Sequence, residues 1–347
     1  MNFSRAILNW YLVNKRNLPW RNDNDPYSVW LSEIILQQTR VSQGLPYYLK
    51  FINKYPTITS LAKANENDIL ILWQGLGYYS RARNLLKAAK FIVNELNGIF
   101  PDSYIELLKL KGIGEYTASA ISSICFNERR AVLDGNVYRV IARFYGIDLP
   151  INNHLGKKHF KDYAQKLAPK KSCGDYNQGI MDFGSLVCKP RIPLCDKCIL
   201  AKDCVACKLN KTNYFPVKLK KNTSKITHFN YLVLLDFNNK TRMNKIEKGI
   251  WKNLFQFPMI ETKKELNKTQ ILSNEEFKSI APKAKLDIVL FNSKPIIHKL
   301  SHKTIYAKFW ILAIGTNSNA IKFSEMNKYP VPRLIENFLD KFNYKHF

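Results

Sequence analysis

Leu110-Lys111-Gly112-Ile113-Gly114-Glu115-Tyr116-Thr117-Ala118 is followed, after a run of small and apolar residues, by Asp134-Gly135-Asn136-Val137 and a basic, apolar-striped segment ending at Arg143. Two glycines so close together predict a tight turn between two helices. Glycine adopts backbone conformations closed to other residues and lets a phosphate oxygen approach the main chain. The N–H groups that open the next helix lack partners, which an anion can supply. On their own Gly112 and Gly114 also fit an ordinary helical hairpin, and Glu115 is an awkward neighbour for phosphate. The isolated acid about one helix later shifts the balance. Asp134 is placed to cap the striped helix behind it, and the same carboxylate can face positive charge developing on a sugar. Asn136 is then available to hydrogen-bond sugar, phosphate or water.

Bulk properties narrow the field. The chain has 347 residues, enough for two cores. Its net charge of +27, from 54 Lys and Arg against 27 Asp and Glu, suits a polyanionic partner. Nucleic acid is favoured over a membrane, because no long uncharged apolar run or lipidation signal is present. Ala6 to Val13 is broken by Asn9 and has no small-residue cleavage site, so a cytoplasmic protein is expected, associated with the nucleoid in a bacterium. The seven cysteines then read as reduced ligands or core thiols.

Residues 1–209 carry helical periodicity at Ser28 to Thr39, Ile69 to Gln74 and Leu85 to Leu96. Ser103 and Glu106 resemble a capping box opening a short helix to Leu110. Val137, Val140, Ile141 and Phe144 form the stripe behind Asp134. Residues 210–225, rich in Lys, Asn and Thr around Pro216, read as a linker. Beyond it the pattern moves toward period two at Phe229 to Phe237, Leu286 to Phe291 and Thr304 to Ile314, with helices at Asn274 to Ile280 and Arg333 to Phe342. A mostly α domain followed by an α+β domain over residues 226–347 is predicted.

Glu33 stands in Trp30-Leu31-Ser32-Glu33-Ile34-Ile35-Leu36-Gln37-Gln38-Thr39, where helical spacing aligns it with Trp30 and Gln37 beside Val29 and Leu36. Apolar crowding raises a carboxyl pKa and suits a general acid. Cys188, Cys195, Cys198 and Cys204 have the spacing C-x6-C-x2-C-x5-C, which favours a 4Fe-4S cluster. Cys207 allows a cramped zinc site as the alternative. Cys125 and Cys173 read as buried thiols.

With these residues in view, the chain resembles the MutY-type adenine DNA glycosylases of the helix-hairpin-helix superfamily. The resemblance rests on Leu18-Pro19-Trp20-Arg21, Ser32 to Thr39, Gly75-Leu76-Gly77-Tyr78-Tyr79, Gly112 to Thr117, Asp134 to Val137 and the four-cysteine loop. It implies a multidomain protein: a helical catalytic domain with its hairpin at about residues 103–125 and its iron–sulfur loop at 188–204, then a Nudix-like domain. By resemblance, adenine opposite 8-oxoguanine or guanine in double-stranded DNA is flipped into a pocket of Trp20, Arg21, Leu36 and Gln178. Glu33 protonates it, Asp134 meets the sugar cation, and Tyr116 and Asn136 complete the site. Gln38 and Tyr78 match wedging residues, and Thr39, Gly112 and Gly114 are assigned to DNA contact. Leu300-Ser301-His302 matches the turn that recognises 8-oxoguanine.

Endonuclease III-type relatives carry lysine where Tyr116 stands, and a tyrosine forms no Schiff base. A monomeric glycosylase without an efficient lyase step is therefore expected. Two alternatives are an endonuclease III-like glycosylase and lyase acting on oxidised pyrimidines, and a non-enzymatic iron–sulfur DNA-binding protein. Two departures stand out: Leu300 replaces a common Phe, and the second domain lacks the Glu-rich box of Nudix hydrolases.

Overall fold

The computed structural model of the chain describes residues 2–220, 225–281, 288–300, 302–315 and 320–344. Ser301 and residues 286–287 of a predicted strand lie outside them. Helices α1 (Phe3–Asn14), α2 (Pro26–Leu36), α3 (Val41–Lys54), α4 (Ile58–Ala62), α5 (Glu66–Leu72), α6 (Ser80–Glu95), α7 (Tyr104–Leu108), α8 (Glu115–Phe126), α9 (Gly135–Tyr145), α10 (His154–Leu167), α11 (Cys173–Leu186) and α12 (Val205–Lys208) come first. A largely antiparallel sheet with one parallel pair follows. Contacts divide the chain into two compact units, Met1–Ala64 with Asn84–Lys220, and Asn65–Arg83 with Lys221–Phe347.

In the first unit, local chemistry sets the helix ends. Asp25 accepts the Ser28 N–H at 2.8 Å with Pro26 in the first turn of α2. Only half of the expected capping box forms at α7: Ser103 accepts the Glu106 N–H at 3.3 Å, but the Glu106 carboxylate pairs with Lys109 at 2.6 Å. The stripe Val137, Val140, Ile141 and Phe144 is buried, and so are Arg139 and Arg143 on the same helix. Helix α11 lies against α1, α8 and α9. Close packing there needs glycine: a β-carbon at Gly174 would meet the Ser123 carbonyl at 2.7 Å, and one at Gly184 would meet Asn136 Cβ at 2.7 Å.

The linker reading is corrected by what Arg143 does. Residues 210–220 are fastened to the helical unit, because the Arg143 guanidinium donates to the carbonyls of Thr212 at 2.9 Å and Phe215 at 3.2 Å. Ile151 N–H reaches the Val217 carbonyl at 3.0 Å, and the Asn152 side chain holds Leu219. A buried arginine supplies several donors that backbone carbonyls can satisfy, and no local pattern in the Lys-rich stretch announces that.

The second unit is built on two long strands, β1 (Lys225–Leu235) and β8 (Lys303–Ala313), paired in parallel along their full length. Shorter strands β2 (Lys240–Thr241), β5 (Met259–Thr262), β6 (Ile288–Leu290) and β7 (Ile296–Lys299) add antiparallel neighbours, and β9 (Ile321–Lys322) pairs with β2. β3 (Asn244–Lys245) and β4 (Phe255–Gln256) form a separate ribbon. Helices cover both faces. Phe338 of α15 (Arg333–Leu339) stacks on Phe309 with ring centroids 4.1 Å apart, while Trp310 and Leu312 face Ile271 of α13 (Lys268–Leu272) and Phe277 of α14 (Glu275–Ile280). The period-two expectation fails at β1 for this reason. Tyr231 to Leu235 are all buried, as befits a central strand covered on both sides.

Residues 65–83 join this unit through long-range hydrogen bonds. Arg83 donates to the Lys252 carbonyl at 2.8 Å, Tyr79 to the Val331 carbonyl at 3.3 Å, and Asn253 to Glu66. The sequence reading treats these residues as part of one contiguous first domain; the contact division is discontinuous.

Candidate active site and cysteine loop

A cavity of about 1180 Å³ opens in the first unit between α2, the hairpin, the start of α9 and the end of α11. It is lined by Glu33, Tyr116, Asp134, Asn136, Trp20, Arg21, Leu36, Gln178, Gln38, Thr39 and Gly114 from the predicted set. Gly112 lies outside the lining. Tyr78, Leu300 and His302 belong to the second unit.

Glu33 enters from α2 among buried Val29, Trp30 and Ile34. Burial pushes its carboxyl up to about 7, the charge of Asp134 pushes the same way, and a hydrogen bond from Tyr116 and the Arg21 charge offset part of the shift. The Tyr116 hydroxyl also lies 3.1 Å from the Met181 sulfur, and burial drives its pKa well above the usual phenol range.

Asp134 is the N-cap of α9. Its Oδ1 accepts the N–H groups of Asn136 at 2.9 Å and Val137 at 2.8 Å, and its Oδ2 accepts Asn136 Nδ2 at 2.7 Å. Burial raises its pKa against the pull of these donors. Asn136 in turn accepts Arg139 Nη2 at 2.8 Å, and Arg139 also donates to the Gly184 and Cys188 carbonyls, each at 2.7 Å. A cap and a reactive carboxylate are therefore compatible roles for one residue.

The two glycines of the hairpin do different work. Gly112 has φ +85°, and a β-carbon there would meet Asn84 Cβ at 2.7 Å, so both conformation and packing demand glycine. Gly114 has φ −102°, and a β-carbon there would meet nothing within 4 Å. What Gly114 provides is open space above the first N–H groups of α8.

Asp182 is the residue that sequence reasoning missed. Its side chain is fully buried and grips Arg21 through both oxygens, at 2.8 and 3.1 Å, while also pairing with Arg16. Burial pushes the Asp182 carboxyl up, but the Arg21 and Arg16 hydrogen bonds outweigh it and hold the pKa below the usual carboxylate value. The spacing Gln178-x3-Asp182 was the available signal, since i and i+4 share one helix face.

The cysteines form a second site. Cys188, Cys195, Cys198, Cys204 and Cys207 all line one small cavity with Arg143. Arg143 Nη1 is 3.4 Å from Cys188 Sγ, and main-chain N–H groups of Leu200, and of Ala206 and Cys207, are directed at Cys198 and Cys204. Among the described residues, no group of three or more His, Cys, Asp or Glu side chains is arranged to hold a metal ion. Cys173 is buried and Cys125 half-buried, and burial pushes the Cys125 thiol up to about 12.

The model of the HhH-GPD superfamily base excision DNA repair proteins matches residues 31–166. The adenine DNA glycosylase of Buchnera aphidicola subsp. Schizaphis graminum is 38% identical across 88% of this chain and 85% of its own length. That of Buchnera aphidicola subsp. Baizongia pistaciae is 37% identical across 99% and 98%. The chain belongs to the adenine DNA glycosylase family. As a member it is a base excision repair enzyme, a DNA N-glycosylase that hydrolyses an N-glycosyl bond. The solved structure of a thermostable thymine-DNA glycosylase is similar to this chain, with a TM-score of 0.55 and 32% identity over 60% of this chain and 95% of that one. Among the described residues, no helix is long and apolar enough to cross a membrane.

Proposed function

We propose that this adenine DNA glycosylase releases adenine mispaired with 8-oxoguanine or guanine in double-stranded DNA, acting as a monomer in the cytoplasm or nucleoid and leaving the strand unbroken. The observation that carries the reading is the pair Glu33 and Asp134 in one cavity, with a phenol rather than an amine beside them.

The base must leave the stack before its glycosidic bond can be reached. The cavity walls of Trp20, Arg21, Leu36 and Gln178 then receive the adenine, with Arg21 fixed by Asp182. Glu33, which keeps its proton up to about pH 7, protonates N7. The C1′–N9 electron pair leaves with the base, and the sugar carries the positive charge. Asp134 faces that cation as its ionised partner and stabilises or captures it, the two-carboxylate arrangement of glycoside hydrolysis. Water then adds to C1′ and gives its proton to the Glu33 carboxylate, which restores the acid. Tyr116 offers no amine for a Schiff base, so strand cleavage has no nucleophile at that position.

In the first unit the α8 N–H groups above Gly114, with Gly112, Gln38 and Thr39, are read as DNA contacts, and in the second unit Tyr78 is read as another. Gln38 and Tyr78 have φ of 56° and 49°, a left-handed conformation that side chains seldom adopt and that supports a wedging role for both. The second unit is read as Nudix-like, its turn at Leu300, Ser301 and His302 recognising 8-oxoguanine. The Leu300 N–H meets the Lys303 carbonyl at 2.8 Å.

Cys188, Cys195, Cys198 and Cys204 are read as the ligands of a 4Fe-4S cluster. Four cysteine sulfurs around one cavity, with the Arg143 guanidinium beside Cys188, fit a polynuclear anionic group better than one zinc ion. When bound, such a cluster supplies one-electron redox chemistry and cross-links the loop.

The test is incubation with duplexes containing adenine opposite 8-oxoguanine, adenine opposite guanine, and thymine glycol. Adenine release with strand scission only after alkali is expected; spontaneous nicking, or no discrimination between the adenine partners and thymine glycol, would overturn the reading.

A further inference from the structure

A second cavity, of about 520 Å³, adjoins Tyr116 and is lined by residues of the first unit alone. Its basic wall is α10. His154, Lys157, Lys158 and Lys161 line it at the i, i+3, i+4, i+7 spacing of one helix face. The neighbouring face of α10 is fixed by packing: Phe160 is fully buried with its ring centroid 5.2 Å from that of Tyr138, and a β-carbon at Gly156 would meet the Pro150 carbonyl oxygen at 2.0 Å. Lys161 pairs with Glu115 at 2.8 Å, whereas Lys157 and Lys158 have no carboxylate partner among the described residues. Tyr104, Tyr138 and the buried Ser119 supply hydroxyls to the same lining.

Three ammonium groups against one carboxylate leave a surplus of positive charge, and ammonium and hydroxyl groups donate to an anion rich in acceptor oxygens. Phenol rings add flat contact for a sugar or base. A nucleotide phosphate ester has both features. Glu115, unfavourable to phosphate when read alone, is neutralised here by Lys161. Glu115 and Tyr116 also line the catalytic cavity, so an occupant of one cavity adjoins an occupant of the other. We propose that this second cavity receives a phosphodiester of the strand under repair, one flanking the adenine nucleotide in the catalytic cavity, with Lys157 and Lys158 as its cationic partners. The inference rests on the adenine-release reading above. A free nucleoside monophosphate carries the same phosphate chemistry; the wall shared with the catalytic cavity favours the strand.

The experiment uses the full chain and a duplex with 2′-fluoro-2′-deoxyadenosine opposite 8-oxoguanine, in which the electron-withdrawing fluorine keeps the base attached. Each phosphate flanking that nucleotide is replaced in turn by a neutral methylphosphonate. Wild type is compared with Lys157→Ala/Lys158→Ala and with Lys166→Ala, an exposed lysine of α10 outside the cavity lining. The double variant should bind the unmodified duplex ~10-fold more weakly, with a salt dependence shallower by about one phosphate contact. One methylphosphonate should reproduce that loss in wild type and cost the double variant less than ~2-fold more, because the two changes remove the same interaction. Lys166→Ala should respond to it as wild type does. Equal responses of wild type and double variant at every phosphate would overturn the assignment. Thymidine 5′-monophosphate bound by wild type and not by the double variant, without that coupling, would give the cavity to a free nucleotide and overturn the strand assignment. Failure of wild type to release adenine from the unfluorinated duplex would overturn the adenine reading instead, so the two failures are distinguishable.

Discussion

The Glu33 cavity and the turn between β7 and β8 are both motif-bearing regions, yet their surroundings differ. In the cavity each polar group is held by others: Arg21 by Asp182, Asp134 by two N–H groups and Asn136, and Asn136 by Arg139. Between β7 and β8, Leu300 is half-buried with its N–H on the Lys303 carbonyl, and His302 is exposed with its carbonyl accepting the Lys225 N–H. A constellation fixed by many partners is sensitive to single changes. An exposed side chain such as His302 acts through contact with its ligand, so single changes there should cost less.

The largest effect expected is from Asp134→Asn. The amide can still cap α9, but it cannot balance a cation, so single-turnover adenine release should fall ~10³-fold or more while DNA affinity changes little. Near-normal release would remove Asp134 from the chemistry.

Glu33→Gln should come next, with release reduced ~10²- to 10⁴-fold. In the wild type, activity should decline as pH rises through about 7, where Glu33 loses its proton. The stability sign follows from the same shift. The folded pKa lies above the unfolded value of 4.5, so the two states bind protons alike at low pH, and stability is lost as pH rises from about 4.5 to about 7. Urea unfolding at pH 4 and pH 8 should show Glu33→Gln gaining stability relative to wild type at the higher pH, on the order of 3 kcal/mol. A pH-independent difference would contradict a carboxyl ionised with difficulty.

Asp182→Ala removes the partner of two arginines, one of them largely buried, and should cost ~3–5 kcal/mol at neutral pH. Because the folded pKa of Asp182 is depressed, its contribution is present above the ordinary carboxylate pKa and fades as pH falls through the lower folded value. The wild-type advantage in thermal unfolding should shrink accordingly. Gly112→Ala should cost ~1–3 kcal/mol, through its left-handed backbone and the Asn84 contact. Gly114→Ala should leave stability nearly unchanged, so any loss of DNA affinity there reports the space rather than the fold. Leu300→Ala should be smallest, about threefold in affinity for an 8-oxoguanine duplex, or ~0.6 kcal/mol. An effect there as large as that of Asp134→Asn would erase the contrast between the two regions.

The cavity residues of the candidate site were legible because they sit in short contiguous words. Glu33 between Ser32 and Ile34, Tyr116 after the two glycines, and Asp134 before a striped helix can all be read one element at a time. The cysteine spacing is likewise local. Less legible was anything held by a distant partner. Nothing near Asp182 announces Arg16 and Arg21, more than 160 residues away, and nothing near Thr212 announces Arg143.

The sequence by itself determined the family, the helical and mixed order of elements, and which side chains carry the candidate chemistry. All of these depend on residue identity at short separations. Tertiary structure alone decided which strand is buried on both faces, which unit holds residues 65–83, and which groups around Glu33 oppose the upward pull of its burial. Desolvation and long-range hydrogen bonds are properties of surroundings assembled from distant segments, and they exist only once the chain has folded.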